Sequence, residues 1–347
     1  SKLERLVKKV FKNDLMSNRK NILISGGAGF IGSHLVIQLV KKYPNYKIIN
    51  IDSLTYASNL KNLEEVQNFK NYFFEKIDIR DIKSISQILI KYEIDNIIHL
   101  AAESHVDNSI NSPLEFAETN VLGTLNLLDS ARNYWNNNFK EKCFYHISTD
   151  EVYGSLGKEG SFSEITRYDP RSPYSASKAS SDHFVKAYFH TYSMPIIISN
   201  CSNNYGPNQH NEKLIPLMVG KIFNEEKLPI YGDGKNIRDW LYVKDHIDAI
   251  DLIFHKGKKG ETYNVGGGNE LSNIDLINKL ILIIDKILGR SSGYSKKLIS
   301  FIKDRKGHDF RYSIDFLKLK NELGWSPKTS FEKGLEITVE SYLKGLN

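Results

Sequence analysis

The sequence predicts an α/β fold with a doubly wound parallel sheet and a second, smaller, discontinuous lobe. Three observations carry this prediction. Apolar stretches alternate with stretches of helical periodicity from residue 21 to residue 199. A glycine-rich turn follows the first apolar stretch, and the alternation loosens after residue 200, where glycine-rich loops appear. Strands that alternate with helices form right-handed βαβ units, so a ligand is expected at the carboxyl ends of the strands.

The elements follow this pattern in order along the chain. We predict strands at residues 21–25, 47–51, 72–77, 96–100, 143–147, 195–199 and 261–265. We predict helices at residues 30–41, 82–91, 116–134, 174–192 and 243–255. The predicted domains are an N-terminal extension at 1–15, a sheet domain at 16–200 plus 242–265, and a smaller domain at 201–241 plus 266–347.

Composition narrows the class of protein. The chain has 347 residues, of which 40% are hydrophobic and 25% charged. No apolar run reaches the ~20 residues of a membrane-spanning helix, so we expect no membrane partner. The net charge of +6 is scattered, so we expect no nucleic-acid partner. Two cysteines without metal or redox spacing indicate a reducing cytoplasm and no metal site.

The first fifteen residues have apolar side chains at helical spacing with lysines between them. We expect an appended helix without a catalytic role. The alternative is a membrane-surface or targeting segment.

The glycine-rich turn is typical of a dinucleotide site. Gly26, Gly29 and Gly32 precede a predicted helix, whose N-terminus can bind a pyrophosphate. Asp52 ends the second strand, where its carboxylate can accept hydrogen bonds from ribose hydroxyls and repel a ribose phosphate. NAD is therefore predicted in preference to NADP, and the sheet domain is the predicted NAD-binding Rossmann domain. Asp78 ends the third predicted strand and suits an adenine amine, although it could be a solvated turn residue.

Tyr174 and Lys178 are one helical turn apart and share a face. A free tyrosine has a pKa near ~10. A lysine ammonium and an oxidised nicotinamide both favour the phenolate, so we expect Tyr174 to act as a base that accepts a hydroxyl proton. The alternative is that both are ordinary surface residues of a helix, without a catalytic role.

Thr149, Asp150 and Glu151 lie just past a predicted strand. If the two carboxyl groups share a pocket, repulsion and burial raise one pKa, leaving one acid and one base. A nicotinamide redox site does not need them, so they indicate a second reaction, and elimination of water is the best candidate. A helix cap or a solvated turn is the alternative.

The chain resembles the extended short-chain dehydrogenase/reductase family, and within it the branch that dehydrates dTDP-glucose. The most specific motifs are Ala-Ala-Glu-Ser-His-Val-Asp at 101–107, Ser-Thr-Asp-Glu-Val-Tyr-Gly at 148–154 and the stretch at 172–182. The resemblance implies C4 oxidation, elimination across C5 and C6, and return of the hydride to C6, giving dTDP-4-dehydro-6-deoxyglucose. In this scheme Tyr174 accepts the C4 hydroxyl proton, Glu151 removes the C5 proton and Asp150 protonates the leaving hydroxyl.

Two enzyme alternatives stay open: a 4,6-dehydratase of UDP- or CDP-glucose, and a UDP-hexose 4-epimerase. A third alternative, an NAD-binding scaffold without catalysis, belongs to another class. The resemblance further implies a homodimer, paired through the helices near residues 116–134 and 174–192.

The resemblance also implies contact residues. For NAD these are Gly26, Gly29, Phe30, Ile31, Gly32, Asp52, Ser53, Thr55, Asp78, Ile79, Ala101, Ala102, Thr119, Tyr174, Lys178 and Asn204. For dTDP-glucose they are Ser104, Thr149, Asn203, Lys213, Leu214, Tyr231, Arg238, Asn273, Arg305 and His308.

Overall fold

A parallel seven-stranded sheet forms the centre of the protein, and a computed structural model describes it within residues 19–346. The predicted extension at residues 1–15 lies outside the described residues. The strands are β1 (Asn21–Ser25), β2 (Lys47–Asp52), β3 (Tyr72–Lys76), β4 (Asn96–His99), β5 (Cys143–Thr149), β6 (Ile196–Cys201), β7 (Asn203–Tyr205), β8 (Leu228–Tyr231), β9 (Ile237–Tyr242), β10 (Thr262–Val265), β11 (Glu270–Ser272) and β12 (Ile299–Ile302).

Eleven α-helices lie within the described residues. They are α1 (Phe30–Lys42), α2 (Ile82–Lys91), α3 (Val106–Asn111), α4 (Pro113–Phe116), α5 (Gly123–Trp135), α6 (Pro173–Tyr192), α7 (Leu214–Phe223), α8 (Val243–Lys256), α9 (Asn273–Ile287), α10 (Leu317–Leu323) and α11 (Phe331–Leu346). Within residues 19–346, no helix combines the length and apolarity needed to span a bilayer.

The order of the central sheet confirms the predicted doubly wound fold. The strands run β10-β6-β5-β4-β1-β2-β3, and every neighbouring pair is parallel. The order reverses between β1 and β4, and such a switch point opens a crevice at the carboxyl ends of the strands. The strands are buried because apolar clusters cover both faces of the sheet.

Several strand ends differ from the prediction by one or two residues, and two of these differences concern site residues. β5 continues to Thr149, which pairs with Cys201 of β6, so Thr149 is the last residue of the strand rather than part of the turn. β3 ends at Lys76, so Asp78 lies two residues beyond the strand instead of at its end. In both cases pairing with the neighbouring strand determines where the strand ends. The apolar periodicity of the sequence does not reveal that pairing.

The second lobe is built from small sheets and helices. β11, β9 and β7 form one sheet, and β12 and β8 form another. Helices α7, α9 and α11 pack on a separate apolar core that includes Trp240, Leu276 and Phe331. β10 returns to the central sheet beside β6. The residue ranges of the two domains stay a prediction.

The helix predicted at 116–134 is longer and irregular. α4 continues without a break through a π-helical segment, Ala117–Leu122, into α5. Within the segment, Asn120 is buried, accepts a hydrogen bond from the Glu103 amide at 2.8 Å and donates one to Ser177 Oγ at 2.9 Å. π-segments are frequent at functional sites.

Candidate active site

The turn between β1 and α1 leaves no room for side chains where a pyrophosphate would lie. Gly26 has φ +76°, and a Cβ there would lie 2.7 Å from the Ala101 amide nitrogen. A Cβ on Gly32 would lie 2.1 Å from the Gly26 carbonyl oxygen. Because α1 starts directly after Gly29, its free N–H groups lie at this turn. The turn therefore fits a dinucleotide.

Asp52, the last residue of β2, is buried at the edge of the same crevice. Its carboxylate accepts hydrogen bonds from the Ala28 amide at 3.0 Å, the Leu54 amide at 2.8 Å and Ser58 Oγ at 2.7 Å. A carboxylate has about four acceptor positions, so one is left for a ribose hydroxyl. The same fixed negative charge disfavours a ribose phosphate.

Asp78 is engaged differently from the prediction. Arg80 binds it through Nε at 3.1 and 3.0 Å and through Nη2 at 2.6 Å, and this pairing lowers the pKa of Asp78. Sequence reasoning missed Arg80, which also lies at the cavity. The only signal was a basic residue two positions after the acid, and such pairs are common on surfaces.

The helix that carries Tyr174 and Lys178 begins with a capping box. Ser172 caps α6, Pro173 follows, and the side chains of Ser172 and Ser175 bond each other's backbone. This start is well specified by the sequence and fixes Tyr174 in the first turn. Lys178 donates from Nζ to the Ile147 carbonyl of β5 at 2.9 Å.

Burial dominates the pKa of Tyr174 when only the protein groups act on it. Burial raises it well above its ordinary value, and the neighbouring carboxyl of Glu151 adds to this. Burial also lowers the pKa of Lys178. The protein residues alone therefore do not stabilise the phenolate. The sequence-based prediction combined Lys178 with an oxidised nicotinamide, and it stays a prediction for the NAD-bound site.

The two carboxyl groups lie in the turn that follows β5. Asp150 is 1% exposed, and Thr149 Oγ1 donates to its Oδ1 at 3.4 Å. Burial raises the pKa of Asp150 well above its ordinary value, and Glu151 raises it further. Burial also raises the pKa of Glu151, while Arg238 and Lys213 oppose that shift. Two neighbouring carboxyl groups therefore both have raised pKa values.

One cavity of about 340 Å³ brings these groups together. All the predicted NAD contacts line it, as do all five predicted catalytic residues. On the substrate side it includes Ser104, Thr149, Asn203 and Lys213. Tyr174 and Lys178 thus line the same cavity as Asp150 and Glu151.

The other six predicted substrate residues lie outside the lining of this cavity: Leu214, Tyr231, Arg238, Asn273, Arg305 and His308. Arg305 forms a bidentate ion pair with Asp107, at 2.6 and 2.9 Å, and lies over the Tyr231 ring. His308 Nδ1 lies 2.6 Å from Asp304 Oδ1.

Arg238 is 8% exposed and stacks on Tyr312, with 4.3 Å between the guanidinium carbon and the ring centroid. Leu214 packs against the core of the second lobe, and Asn273 is the first residue of α9. The structure therefore separates these residues into a cavity-lining group and a group held by other contacts.

Several residues that line the cavity were missed. They are Ile51, Ala57, Ser58, Ile77, Arg80, Leu100, Glu103, Glu115, Ile147, Ser148, Cys201, Ser202, Gln209, His210 and Glu212. Strand ends such as Ile51 and Ile147 could have been found from the strand pattern alone. Gln209 and His210 lie in a loop without a local signal. Between residues 19 and 346, no group of three or more His, Cys, Asp or Glu side chains could hold a metal ion.

The comparisons agree with this geometry. The family described as GDP-mannose 4,6 dehydratase matches residues 23–338. The chain belongs to the 4,6-dehydratase family. The dTDP-glucose 4,6-dehydratase of Haemophilus influenzae is 49% identical over 331 residues, which cover 93% of this chain and 98% of that protein.

Solved structures show the same family likeness. The dTDP-glucose 4,6-dehydratase of Bacillus anthracis, in complex with NAD, matches with a TM-score of 0.84 and 46% identity, covering 94% of this chain and 97% of that chain. The UDP-glucose 4-epimerase of Thermotoga maritima, with UDP-glucose, matches with a TM-score of 0.83 at 31% identity, covering 94% and 100%. Since 4,6-dehydratases and epimerases share the fold, the site residues must separate them.

Proposed function

We propose that the chain catalyses the NAD-dependent conversion of dTDP-glucose to dTDP-4-dehydro-6-deoxyglucose and water. One observation carries this proposal: Asp150 and Glu151 line the same cavity as Tyr174 and Lys178. An epimerase needs only the redox pair, whereas elimination of water also needs a general acid and a general base.

The perturbed carboxyl groups suit the elimination step. Burial and Glu151 raise the pKa of Asp150 well above its ordinary value, which favours the protonated form that can donate a proton to the departing C6 hydroxyl. Glu151, whose pKa is raised less strongly because cationic neighbours oppose burial, can remove the proton at C5. In this step Asp150 loses one proton to the leaving water and Glu151 gains one from C5, so the proton transfers balance within the pair.

Tyr174 serves the oxidation step as the base for the C4 hydroxyl proton. Thr149, at the end of β5, lowers the pKa of Tyr174 through a side-chain hydrogen bond, in opposition to burial. Lys178 is held in place by the Ile147 carbonyl. Bound NAD supplies the hydride acceptor and a positive charge that favours the phenolate. The glycine-rich turn with Gly26 and Gly32, together with Asp52, would hold the NAD.

Cationic side chains suit the diphosphate of the substrate. Lys213 donates from Nζ to the Ser104 carbonyl at 3.0 Å and lines the cavity. Arg238 and Arg305 lie near enough to Glu151 to lower its pKa. Guanidinium groups match phosphate oxygens, and Tyr231 offers an aromatic face to a base. We therefore assign the nucleotide part of the site to these residues.

Mass spectrometry of the product tests the proposal. Purified protein with NAD and dTDP-glucose should yield a product that has lost one water, and UDP-glucose under the same conditions should react far more slowly. Equal or faster turnover of UDP-glucose would reassign the nucleotide. An epimerised sugar without loss of water would refute dehydration.

We also propose a homodimer that pairs through α4, α5 and α6. Large apolar side chains are exposed on these helices and the segment between them: Leu114 at 78%, Leu122 at 54% and Tyr192 at 41%. Burial of such a surface is the usual reason for association. Sedimentation should show a dimer at micromolar concentration, and a monomer there would refute the proposal.

The proposed location is the cytoplasm. Cys143 and Cys201 are both free and buried, and burial raises the pKa of each thiol. A protein with free thiols suits a reducing compartment. Fractionation of cells should place the activity with the cytoplasmic fraction, whereas activity in the membrane fraction would contradict the proposal.

A further inference from the structure

Asp182 is a buried carboxylate that the proposed reaction does not use. It lies on α6 one helical turn after Lys178, and its side chain is 0% exposed. It closes the motif at residues 172–182. Burying an unpaired carboxylate costs on the order of several kcal/mol. Asp182 therefore needs partners that stabilise its charge.

The contacts of Asp182 join α6 to the end of β5. Its Oδ2 accepts hydrogen bonds from Ser148 Oγ at 2.9 Å and from the Tyr168 hydroxyl at 2.8 Å. His146 Nε2 lies 3.1 Å from its Oδ1. Ser148 directly precedes Thr149 and the two catalytic carboxyl groups. The position of that turn relative to α6 therefore depends on Asp182.

Asp182 also shares a face of α6 with Lys178, one helical turn away, and the two groups shift each other's pKa. Burial lowers the pKa of Lys178, and the first opposing influence is Asp182. Burial alone would raise the pKa of Asp182, but His146, Lys178 and Ser148 outweigh it and hold the pKa below its ordinary value. His146 is neutral at pH 7 because burial lowers its pKa to about 4. The carboxylate is thus available to balance the lysine ammonium.

We propose that Asp182 is a positioning residue with two roles in the proposed dehydration: it fixes the turn at residues 149–151 against α6, and it balances the charge of Lys178. The inference rests on the proposed function. Through Ser148 it couples the carboxyl groups to the helix that carries Tyr174, and through Lys178 it acts on the redox pair.

Two substitutions separate the roles. In Asp182→Asn the amide oxygen can still accept from Ser148 and Tyr168, but the charge is lost. In Ser148→Ala the charge stays, but the bond to the turn is lost. Tyr168→Phe removes a donor from Asp182 without touching the turn. Ser180→Ala is the matched control, since Ser180 on the same helix bonds only the Ala176 carbonyl.

Single-turnover experiments measure the formation of reduced nicotinamide after each variant is mixed with dTDP-glucose. Asp182→Asn should slow its formation by about tenfold, the equivalent of one charge-assisted hydrogen bond, with KM nearly unchanged. Ser148→Ala should form it at the normal rate but let it accumulate, because elimination is slowed. Tyr168→Phe should have a smaller effect than either, and Ser180→Ala none.

Hydrogen exchange supplies a readout that does not depend on turnover. The amides of residues 149–153 should exchange faster in Ser148→Ala than in the unsubstituted protein, and at the normal rate in Ser180→Ala. The inference would be overturned if Asp182→Asn carried out oxidation and elimination at normal rates. It would also be overturned if all variants slowed both half-reactions equally and changed KM. If Asp182→Asn does not fold, Ser148→Ala and Tyr168→Phe decide.

The unsubstituted protein, assayed in parallel, keeps the two proposals apart. If it forms no dehydrated product, the proposed function fails. If it does and the variants behave like Ser180→Ala, only the role of Asp182 fails.

Discussion

The NAD side and the nucleotide-sugar side of the site differ in how they are built. The predicted NAD contacts all line one cavity, and most follow strands of the central sheet. The predicted sugar-nucleotide contacts are divided: four line the cavity, whereas others, such as Arg305 with Asp107, are engaged in contacts of their own. The NAD side lies at the carboxyl ends of the central strands and is preformed, whereas the sugar side includes second-lobe side chains whose present contacts substrate must replace.

The largest expected effect is on the preformed side. Tyr174→Phe removes the base for the C4 hydroxyl, so the rate of C4 oxidation should fall by about 10³-fold, within the range for a general base. Stopped-flow absorbance of reduced nicotinamide measures this. NAD affinity should stay normal, because the ring remains. Oxidation at an undiminished rate would mean that another group accepts the proton.

Glu151→Gln comes next and separates the two chemistries in the cavity. It should spare C4 oxidation and slow elimination by about 10²-fold, so reduced nicotinamide should accumulate. Loss of both steps would mean that Glu151 is structural.

The pH dependence of elimination tests whether Glu151 acts as the base. The pKa of Glu151 is raised above 4.5, so elimination should decline as pH falls through that raised value and the base becomes protonated. In Glu151→Gln this acidic limb should disappear from the pH profile.

Gly26→Ala tests the glycine-rich turn between β1 and α1. The residue has φ +76°, and the added Cβ would lie 2.7 Å from the Ala101 nitrogen, so backbone near the pyrophosphate must shift. We expect about tenfold weaker NAD binding and about 1–3 kcal/mol lower free energy of unfolding. Calorimetry measures both. Gly157→Ala is the control, because a Cβ there meets nothing within 4 Å.

Arg305→Ala, on the nucleotide-sugar side, should have the smallest effect. Loss of the guanidinium should raise KM for dTDP-glucose by about threefold with kcat little changed, since Asp107 offsets its charge before substrate binds. Arg167→Ala, an exposed arginine, should leave KM unchanged. A large fall in kcat with normal KM would place Arg305 at the reacting sugar instead.

The same comparison explains what the sequence could predict. The glycine turn, Asp52 and the capped helix of Tyr174 are local features, and each can be recognised from a few consecutive residues. Asp182 illustrates the opposite case, because its partners Ser148 and Tyr168 are distant in sequence. The direction of the Tyr174 pKa shift was also beyond the sequence, since burial depends on the whole fold.

The π-segment at Ala117–Leu122 has one further consequence. A π-turn accommodates one extra residue compared with an α-helix. Deleting a single residue there would return the helix to regular spacing and rotate everything upstream by about 100° relative to α5. Asn120 could then no longer bridge Glu103 and Ser177. Deletion of one codon, without a change to any proposed catalytic residue, would thus separate the loop after β4 from the helix that carries Tyr174.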